Sequence, residues 1–320
     1  MRIPQWRIKG DFLRGQINKS MITKPQLSVI IASYNSSKTV EKYLESLKNQ
    51  RTDKKFEIIV IDSSTDDTAI LVEKRFPAVR LHRFSERKFC GDARNWGVSV
   101  ATGEIIAFID ADCVASNDWV DKILTAHQSS HLVIGGAIAN GNPDSIVGWA
   151  AYFCEFSRWI PNTPSAWMAD IAGANMSYKR KVFSDLGKFI ERTYSSDTDF
   201  HWKLEKFGHH PQFVTSIQVF HHNIDTFLKF ILHEFDHGKS FAQVRVSGKK
   251  FSKLRRLIYA TFFFLIPLKL LLEIGFRNFK NRIYGIYFVK SLPLLIPGLI
   301  SWSLGECVGY MRGGRNEKNP

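Results

Sequence analysis

Cysteine is scarce in this chain. Its four residues, Cys90, Cys113, Cys154 and Cys307, include no C-x-x-C pair. That argues against a thiolate zinc site and a disulfide framework, and a reducing compartment is expected. The opening stretch MRIPQWRIKGDFLRG lacks an apolar h-region, so no cleaved secretory signal is expected there. Internal repeats and low-complexity tracts are missing too, which sets aside solenoids and disordered arrays. Acidic residues fall short: 30 Asp and Glu stand against 44 Lys and Arg, a net charge of +14.

The basic excess is uneven. Residues 1–24 hold six Lys/Arg against one Asp, and residues 236–320 hold fifteen against four acids. The middle, 25–235, is close to neutral. Nucleic-acid binding is one explanation for a pI near 9.6. The basic flanks, however, are interleaved with long apolar runs, which suits an anionic membrane surface better. A membrane surface is therefore expected as a partner, and nucleic acid is not. At 320 residues, 44% of them hydrophobic, the chain can bury one large domain plus an appendage.

Three parts follow: a basic segment at 1–24, a domain at 25–235 and a basic, apolar region at 236–320. From residue 27, short apolar runs alternate with amphipathic stretches. LSVIIAS, FEIIVID, VRLHRF and EIIAFIDAD read as strands, the first two as buried ones. SSKTVEKYLESLKNQ, with Val40, Leu44 and Leu47 at helical spacing, reads as a helix. So do DDTAILVEKRF, GDARNWGVSVAT and SNDWVDKILTAH. This order predicts an α/β fold, a mostly parallel sheet with helices on both faces. Ligands of such sheets bind beyond the carboxyl ends of the strands. Further on, DSIVGWAAYFCEFSRWI and DTDFHWKLEKFG read as helices, the latter closed by Gly208. DIAGANMSYKR reads as a strand or loop lining a cleft, and PQFVTSIQVFHH as a strand.

The last 85 residues differ in kind. LIYATFFFLIPLKLLLEIGF (257–276) could cross a bilayer by length, but Pro267, Lys269 and Glu273 interrupt it. IYGIYFVKSLPLLIPGLISWSLG (283–305) is interrupted by Lys290, Pro293 and Pro297. The flanks KKFSKLRR, RNFKNR and RGGRNEK are all basic. Two full spans would put the middle flank outside, against the positive-inside tendency. A re-entrant or interfacial hairpin is expected ahead of two spans, and a buried soluble helix pair is the remaining alternative.

Polar residues at the predicted strand ends are the candidates for chemistry. In FIDADC, Asp110 and Asp112 follow the apolar run Ile105 to Ile109. Strand alternation predicts that residues two apart point to one side. Two carboxylates so close are unfavourable unless neutralised. A hard divalent cation does this and keeps open positions for phosphate oxygens. A lone helix-capping Asp is the competing explanation, but Ser116 or Asn117 already offers that cap. Asp62, closing the second strand, could accept a hydrogen bond from a nucleobase N–H, or could serve only a turn, as could Asp66 and Asp67. Tyr34, after the first strand, could stack on a base or simply pack.

These residues fall in blocks. LSVIIASYNSSKTVEKYLESLKNQ, FEIIVIDSSTDDT, GDARNWGVSVATGEIIAFIDADC, AGANMSYKR and SSDTDFHWKLEKFG resemble, in order and spacing, the family 2 glycosyltransferases. The resemblance covers about residues 26–222 and implies the GT-A fold, which is Rossmann-like. LGECVGYMRGG is similar to the tail of membrane-associated members. The resemblance implies a hexosyltransferase that moves sugar from a nucleotide-sugar, a UDP-sugar first among the candidates, with Mg²⁺ or Mn²⁺. It places Ala32, Tyr34 and Asp62 at the donor base, and Asp110 near the ribose and metal. Asp112 becomes a metal ligand, and Gly173 and Asn175 shape the cleft. Asp197 matches the catalytic base; Ser196 stands where Glu is common, which keeps Asp199 as the other choice. His221 or His222 is the implied metal-binding histidine. Inversion at the anomeric carbon is the family expectation. The Q-x-x-R-W motif of processive synthases is absent, so transfer of one or a few residues is expected. The acceptor is expected to be lipid-linked or an envelope glycan, at the cytoplasmic face of the membrane.

Two other readings compete. HEFDH places His233, Glu234 and His237 in the H-E-x-x-H pattern of zinc proteases. No histidine follows His237, so the extended form with a downstream third ligand is excluded. The five ordered blocks would also go unexplained. A non-catalytic nucleotide-sugar binder would keep Asp62 and Asp110 and need no base, and Asp197 argues against it.

Overall fold

The computed structural model describes residues 24–314. Most of the basic segment expected at 1–24, and the end of the last basic flank, lie outside the described residues. The first apolar runs form β1 (Leu27–Ser33), β2 (Phe56–Asp62), β3 (Arg80–Arg83) and β4 (Ile105–Ile109). They pair in parallel in the order β3-β2-β1-β4. Between them lie α1 (Val40–Lys48), α2 (Thr68–Arg75) and α3 (Cys90–Val100). Alternation splits each strand between two cores. Leu27, Val29, Ile31, Ala107 and Ile109 pack on one side, and Ile30, Ile106 and Phe108 on the other. With both faces covered, the strands can be apolar throughout.

Past β4 the sheet becomes mixed. The chain continues through β5 (Cys113–Ala115), α4 (Trp119–Ala126), β6 (Val133–Asn140), α5 (Ile146–Phe156), β7 (Ala166–Trp167) and β8 (Asn175–Lys179). Then come α6 (Lys181–Leu186), α7 (Ser196–Lys206) and β9 (Gln212–His221). β8 lies antiparallel between β4 and β6, while β6 and β9 run parallel. The expected α/β sheet with helices on both faces is present, but its parallel character is concentrated in the first four strands. The regular strand–helix crossover that enforces parallel pairing stops at β4. Gly136 sits at a register shift between β6 and β9. A Cβ there would stand 2.2 Å from the Ile217 carbonyl oxygen and 2.3 Å from Asn175 Nδ2, so only glycine fits.

The chain then becomes helical: α8 (Phe227–Gly248), α9 (Lys253–Thr261), α10 (Ile266–Asn281) and α11 (Gly285–Arg312). The Ser252 hydroxyl accepts from Arg255 N–H and starts α9. The first apolar segment is broken, with a 50° bend between α9 and the stretch holding α10. The second is one helix despite Pro293 and Pro297. α11 lies against α8 so closely that a Cβ on Gly305 would meet the Phe235 carbonyl oxygen at 2.0 Å. By length and composition α11 could cross a membrane, yet 44% of its most apolar window is buried inside the protein. Its other face, with α9, α10 and the turn between them, leaves Leu257, Phe264, Leu268, Leu272, Phe276, Phe279 and Ile286 exposed.

Candidate active site

Tyr34, Asp62 and Asp110 lie at the carboxyl ends of β1, β2 and β4, the edge at which such sheets bind ligands. After β1, Tyr34 is 40% exposed, and the Arg87 guanidinium lies 4.4 Å from its ring centroid. Such a pair is a cation–π contact. Ala32 is half-buried and pairs with Ile61 across the β1–β2 ladder. Asp62 ends β2, and its side chain holds the following turn. The Ser64 hydroxyl donates to it at 2.6 Å and the Ser64 N–H at 3.2 Å. A carboxylate has about four acceptor sites, so the turn does not exhaust it.

Asp110 and Asp112 lie just past β4, in a turn closed by Cys113 N–H donating to the Asp110 carbonyl at 3.1 Å. Strand alternation therefore does not govern them, and they do not share one set of partners as expected. Asp110 faces α3, where Arg94 Nη2 is 3.3 Å from its Oδ1. Burial pushes the Asp110 carboxyl up, Asp112 and Asp197 add to this, and Arg94 and His221 oppose it. Asp112 faces β9, with His221 Nε2 3.2 Å from its Oδ1. β5 pairs with β9 so that Cys113 is opposite His221, which brings the histidine to the turn.

The other ring nitrogen of His221, Nδ1, is 2.9 Å from Asn223 Oδ1. An amide oxygen only accepts, so Nδ1 donates to it, and Nε2 is the nitrogen turned toward Asp112. This is the second-sphere arrangement of a metal-binding histidine. Asp112, Cys113 and His221 offer ligand atoms within 4.8 Å of one another. Burial first, then Asp112 and Asp110, raise the Cys113 thiol well above its usual range, and a neutral thiol suits a hard cation poorly. His222 contributes its backbone N–H to the Asp112 carbonyl, at 2.9 Å, and its ring stands outside the group. Of the two expected histidines, His221 fits a Mg²⁺ or Mn²⁺ site with Asp112; His222 does not.

Asp197 stands in the first turn of α7. Gly173 N–H donates to its Oδ2 and Thr198 N–H to its Oδ1, both at 2.9 Å. A Cβ on Gly173 would meet Arg94 Nη2 at 2.3 Å and Asp197 Oδ2 at 2.9 Å, so glycine lets the three groups converge. Asp199, the alternative, is buried and paired with Lys203 at 2.9 Å, next to Gly248 of α8. Asn175 also departs from expectation. Its amide is buried and donates to the Ala137 and Ile217 carbonyls, while its Oδ1 accepts from Trp119 Nε1. It joins β6, β8, β9 and α4 rather than lining the cleft.

Arg94 is the cleft residue that sequence reasoning missed. It is 3% exposed and touches Asp110 and the Ser196 hydroxyl, the latter at 3.4 Å. Burial alone would lower its pKa; Cys90, Asp110 and Asp197 outweigh that and hold it higher. The only signal was an arginine on the otherwise small and apolar face of GDARNWG. The H-E-x-x-H stretch does lie on one helix, α8, but Glu234 is 1% exposed with both oxygens unpartnered. Burial, with Glu155 nearby, pushes its carboxyl well above the usual range. An acid sealed from solvent cannot activate water, so the protease reading ends there.

The profile of glycosyl transferase family 2 matches residues 28–187. The chain is 28% identical over 188 residues to the uncharacterized glycosyltransferase YfnE of Bacillus subtilis, covering 56% of this chain and 45% of that protein. It is 22% identical over 182 residues to the glucosyl-dolichyl phosphate glucuronosyltransferase of Haloferax volcanii, covering 52% and 57%. The chain thus spans about half the length of these curated relatives. Among solved structures, mannosyltransferase PcManGT of Pyrobaculum calidifontis, in complex with GDP-Man and Mn²⁺, shares the fold. Its TM-score is 0.59 at 16% identity, over 89% of this chain and 88% of that one. The parallel β1–β4 unit, the acidic turn after β4 and the family profile across half of the chain agree: this protein belongs to glycosyltransferase family 2 and has the GT-A fold.

Proposed function

We propose that the chain transfers one glycosyl residue, with inversion, from a nucleotide-sugar to a hydroxyl of a lipid-linked or envelope-glycan acceptor at the cytoplasmic membrane surface. Tyr34, Ala32 and Asp62 hold the base, and Asp110 the ribose side. Asp112 and His221 hold Mg²⁺ or Mn²⁺, which when bound neutralises charge developing on the departing diphosphate. Asp197 takes the proton of the acceptor hydroxyl as its oxygen attacks C1. The new C1–O bond forms as the C1–phosphate oxygen bond breaks, and the nucleoside diphosphate leaves on the opposite face. Gly173 and Thr198 N–H groups orient Asp197, and Arg94 offsets the negative charge between it and Asp110.

The observation that carries this reading is the division of labour between two carboxylates in one cleft. Asp112 has the Nε2 of His221 3.2 Å away, whereas the oxygens of Asp197 accept from the Gly173 and Thr198 N–H groups. The exposed apolar face of α9, α10 and α11 supports interfacial binding. So does an apolar cavity of about 450 Å³ lined by Phe263, Pro267, Leu271 and Ile300, which suits a lipid chain. The Haloferax relative, named as a glucosyl-dolichyl phosphate glucuronosyltransferase, points the same way. Because the Pyrobaculum neighbour carries a GDP-sugar, guanosine donors belong in the screen beside UDP-sugars.

The test is a panel of nucleotide-sugars with Mn²⁺, read as thermal stabilisation and as donor turnover. Asp197→Asn is expected to lower transfer by about 10²–10⁴-fold, the range of a positioned base, with donor affinity retained. A variant that still transfers at the wild-type rate would remove Asp197 from the mechanism. Wild type that binds donor and never turns it over would make the protein a binder.

A further inference from the structure

The glycosyltransferase reading leaves HEFDH unused. His233 and His237 stand one turn apart on α8, with ring centroids 5.5 Å apart. Glu155, from α5, reaches them: its Oε1 is 3.4 Å from His233 Nε2. Each of the three offers one ligand atom, and these atoms lie within 4.8 Å of one another. Tyr194 and Trp302 wall the group, with ring centroids 6.0 Å and 5.0 Å from that of His237. Nδ1 of His237 is buried with no hydrogen-bond partner. No side-chain hydrogen bond to that ring occurs among the described residues. Glu155, paired with His233, thus stands where an upstream third ligand would have to be.

We propose that Glu155, His233 and His237 form a second cation site, of the zinc class, which fastens α5 to α8. Two borderline imidazoles joined by one carboxylate make a ligand set that favours Zn²⁺ or Co²⁺ over the hard cations that all-oxygen sites take. Three protein ligands leave one position for water, and the partial exposure of His233 and Glu155, 28% and 16% for their side chains, gives that position solvent. The site shares no residue with Asp112 and His221. Its place explains its use. α5 packs on the sheet through Tyr152, whose hydroxyl donates to the Ile138 carbonyl at 2.7 Å, and on α11 through Trp149, stacked on Tyr287 at 4.4 Å, while α8 also lies along α11. A cation here adds a direct link between α5 and α8 to that packing. Glu234, sealed beside it, takes no part in hydrolysis.

The full chain is stripped with chelator and titrated with Co²⁺, then Zn²⁺, in excess Mg²⁺ so that hard sites are filled. One equivalent of Co²⁺ should give the visible absorption of a four-coordinate ion, and Zn²⁺ should abolish it. His237→Gln and Glu155→Gln should each weaken binding by more than about 100-fold, beyond the effect of losing an outer-sphere partner. Asp112→Asn should leave the band unchanged. Circular dichroism checks that each variant is folded, and His233→Gln replaces any that is not. The site is refuted if no band appears up to millimolar Co²⁺, which would mean an ion pair only. It is equally refuted by a band that survives the Glu155 and histidine changes, or one that vanishes in Asp112→Asn. Transfer activity does not enter, so the two proposals fail separately.

Discussion

Replacing Arg94 by methionine should destabilise the protein by about 3 kcal/mol. The side chain is 4% exposed and sits 3.3 Å from Asp110. Its guanidinium also lies 5.9 Å from the Phe108 ring centroid. Methionine keeps most of the packing volume but removes the charge, leaving Asp110 and Asp197 without a buried counter-ion. Breaking a buried pair from one side costs about 3–5 kcal/mol. Asp110 keeps 31% side-chain exposure, so water relieves part of the strain and the low end applies. That corresponds to a midpoint lowered by roughly 4–5 °C for a chain of this size. The assay is thermal and urea unfolding with chelator present, so that no cation substitutes for the guanidinium. Arg94→Lys should recover part of the loss, since it restores charge without the planar fork. Arg94→Met within about 1 kcal/mol of wild type would refute the electrostatic account. So would Arg94→Lys falling as far as Arg94→Met, which would make shape, not charge, the contribution.

Three further outcomes are expected. His221→Ala should weaken Mn²⁺-dependent donor binding by about 10-fold or more, since a ligand is lost, while His222→Ala should change it little; equal effects would reassign the metal ligand. Glu57 accepts from Ser28 and Thr102 and pairs with Arg80, and although burial opposes it, these bonds lower its carboxyl to about 2 from 4.5. A depressed acid stabilises above its unfolded value and loses that contribution as pH falls through its folded one. Stability should therefore decline between pH 4.5 and about 2, and Glu57→Gln should flatten that decline in acid unfolding curves; an unchanged slope would contradict the assignment. Leu272, Phe276 and Phe279 are 65%, 69% and 80% exposed on one face of α10. Converting all three to Glu should cut partition into anionic vesicles by about 10³-fold, taking roughly 1.5 kcal/mol for each lost side chain. Sedimentation with vesicles that stays at the wild-type level would show that this face does not meet lipid.

The first half of the fold was legible because its signals are local. Leu27 to Ser33 and Ile105 to Ile109 are buried on both sides, and Val40, Leu44 and Leu47 recur at helical spacing, so period alone identifies strands and helix. The second half resisted the same reading. β6, VIGGAIAN, is buried at every residue, but its two glycines obscure a strand signal, and they are there because Ile171 and Ile217 approach too closely for a Cβ. Antiparallel insertion of β8 between β4 and β6 depends on contacts dozens of residues apart, which no window along the chain contains.

The site divides along the same line. Asp110 and Asp112 were singled out on strand alternation, which does not hold there: the apolar run ends at Ile109, a turn begins, and the two carboxylates meet different partners, Arg94 and His221. What chooses His221 over His222 is the β5–β9 register, which sets Cys113 opposite His221, together with Asn223 occupying Nδ1. Neither is visible in FHH. Asp197 and Asp199 look alike in SSDTDF, yet two positions along a helix turn a side chain through about 200°, and Lys203 takes the second one. Arg94 illustrates the general limit. A charge is recognisable in sequence, but whether it is buried between two acids is a property of α3, β4 and α7 meeting at Gly173. Chemistry carried by one element could therefore be read directly, whereas chemistry assembled from several needed the fold.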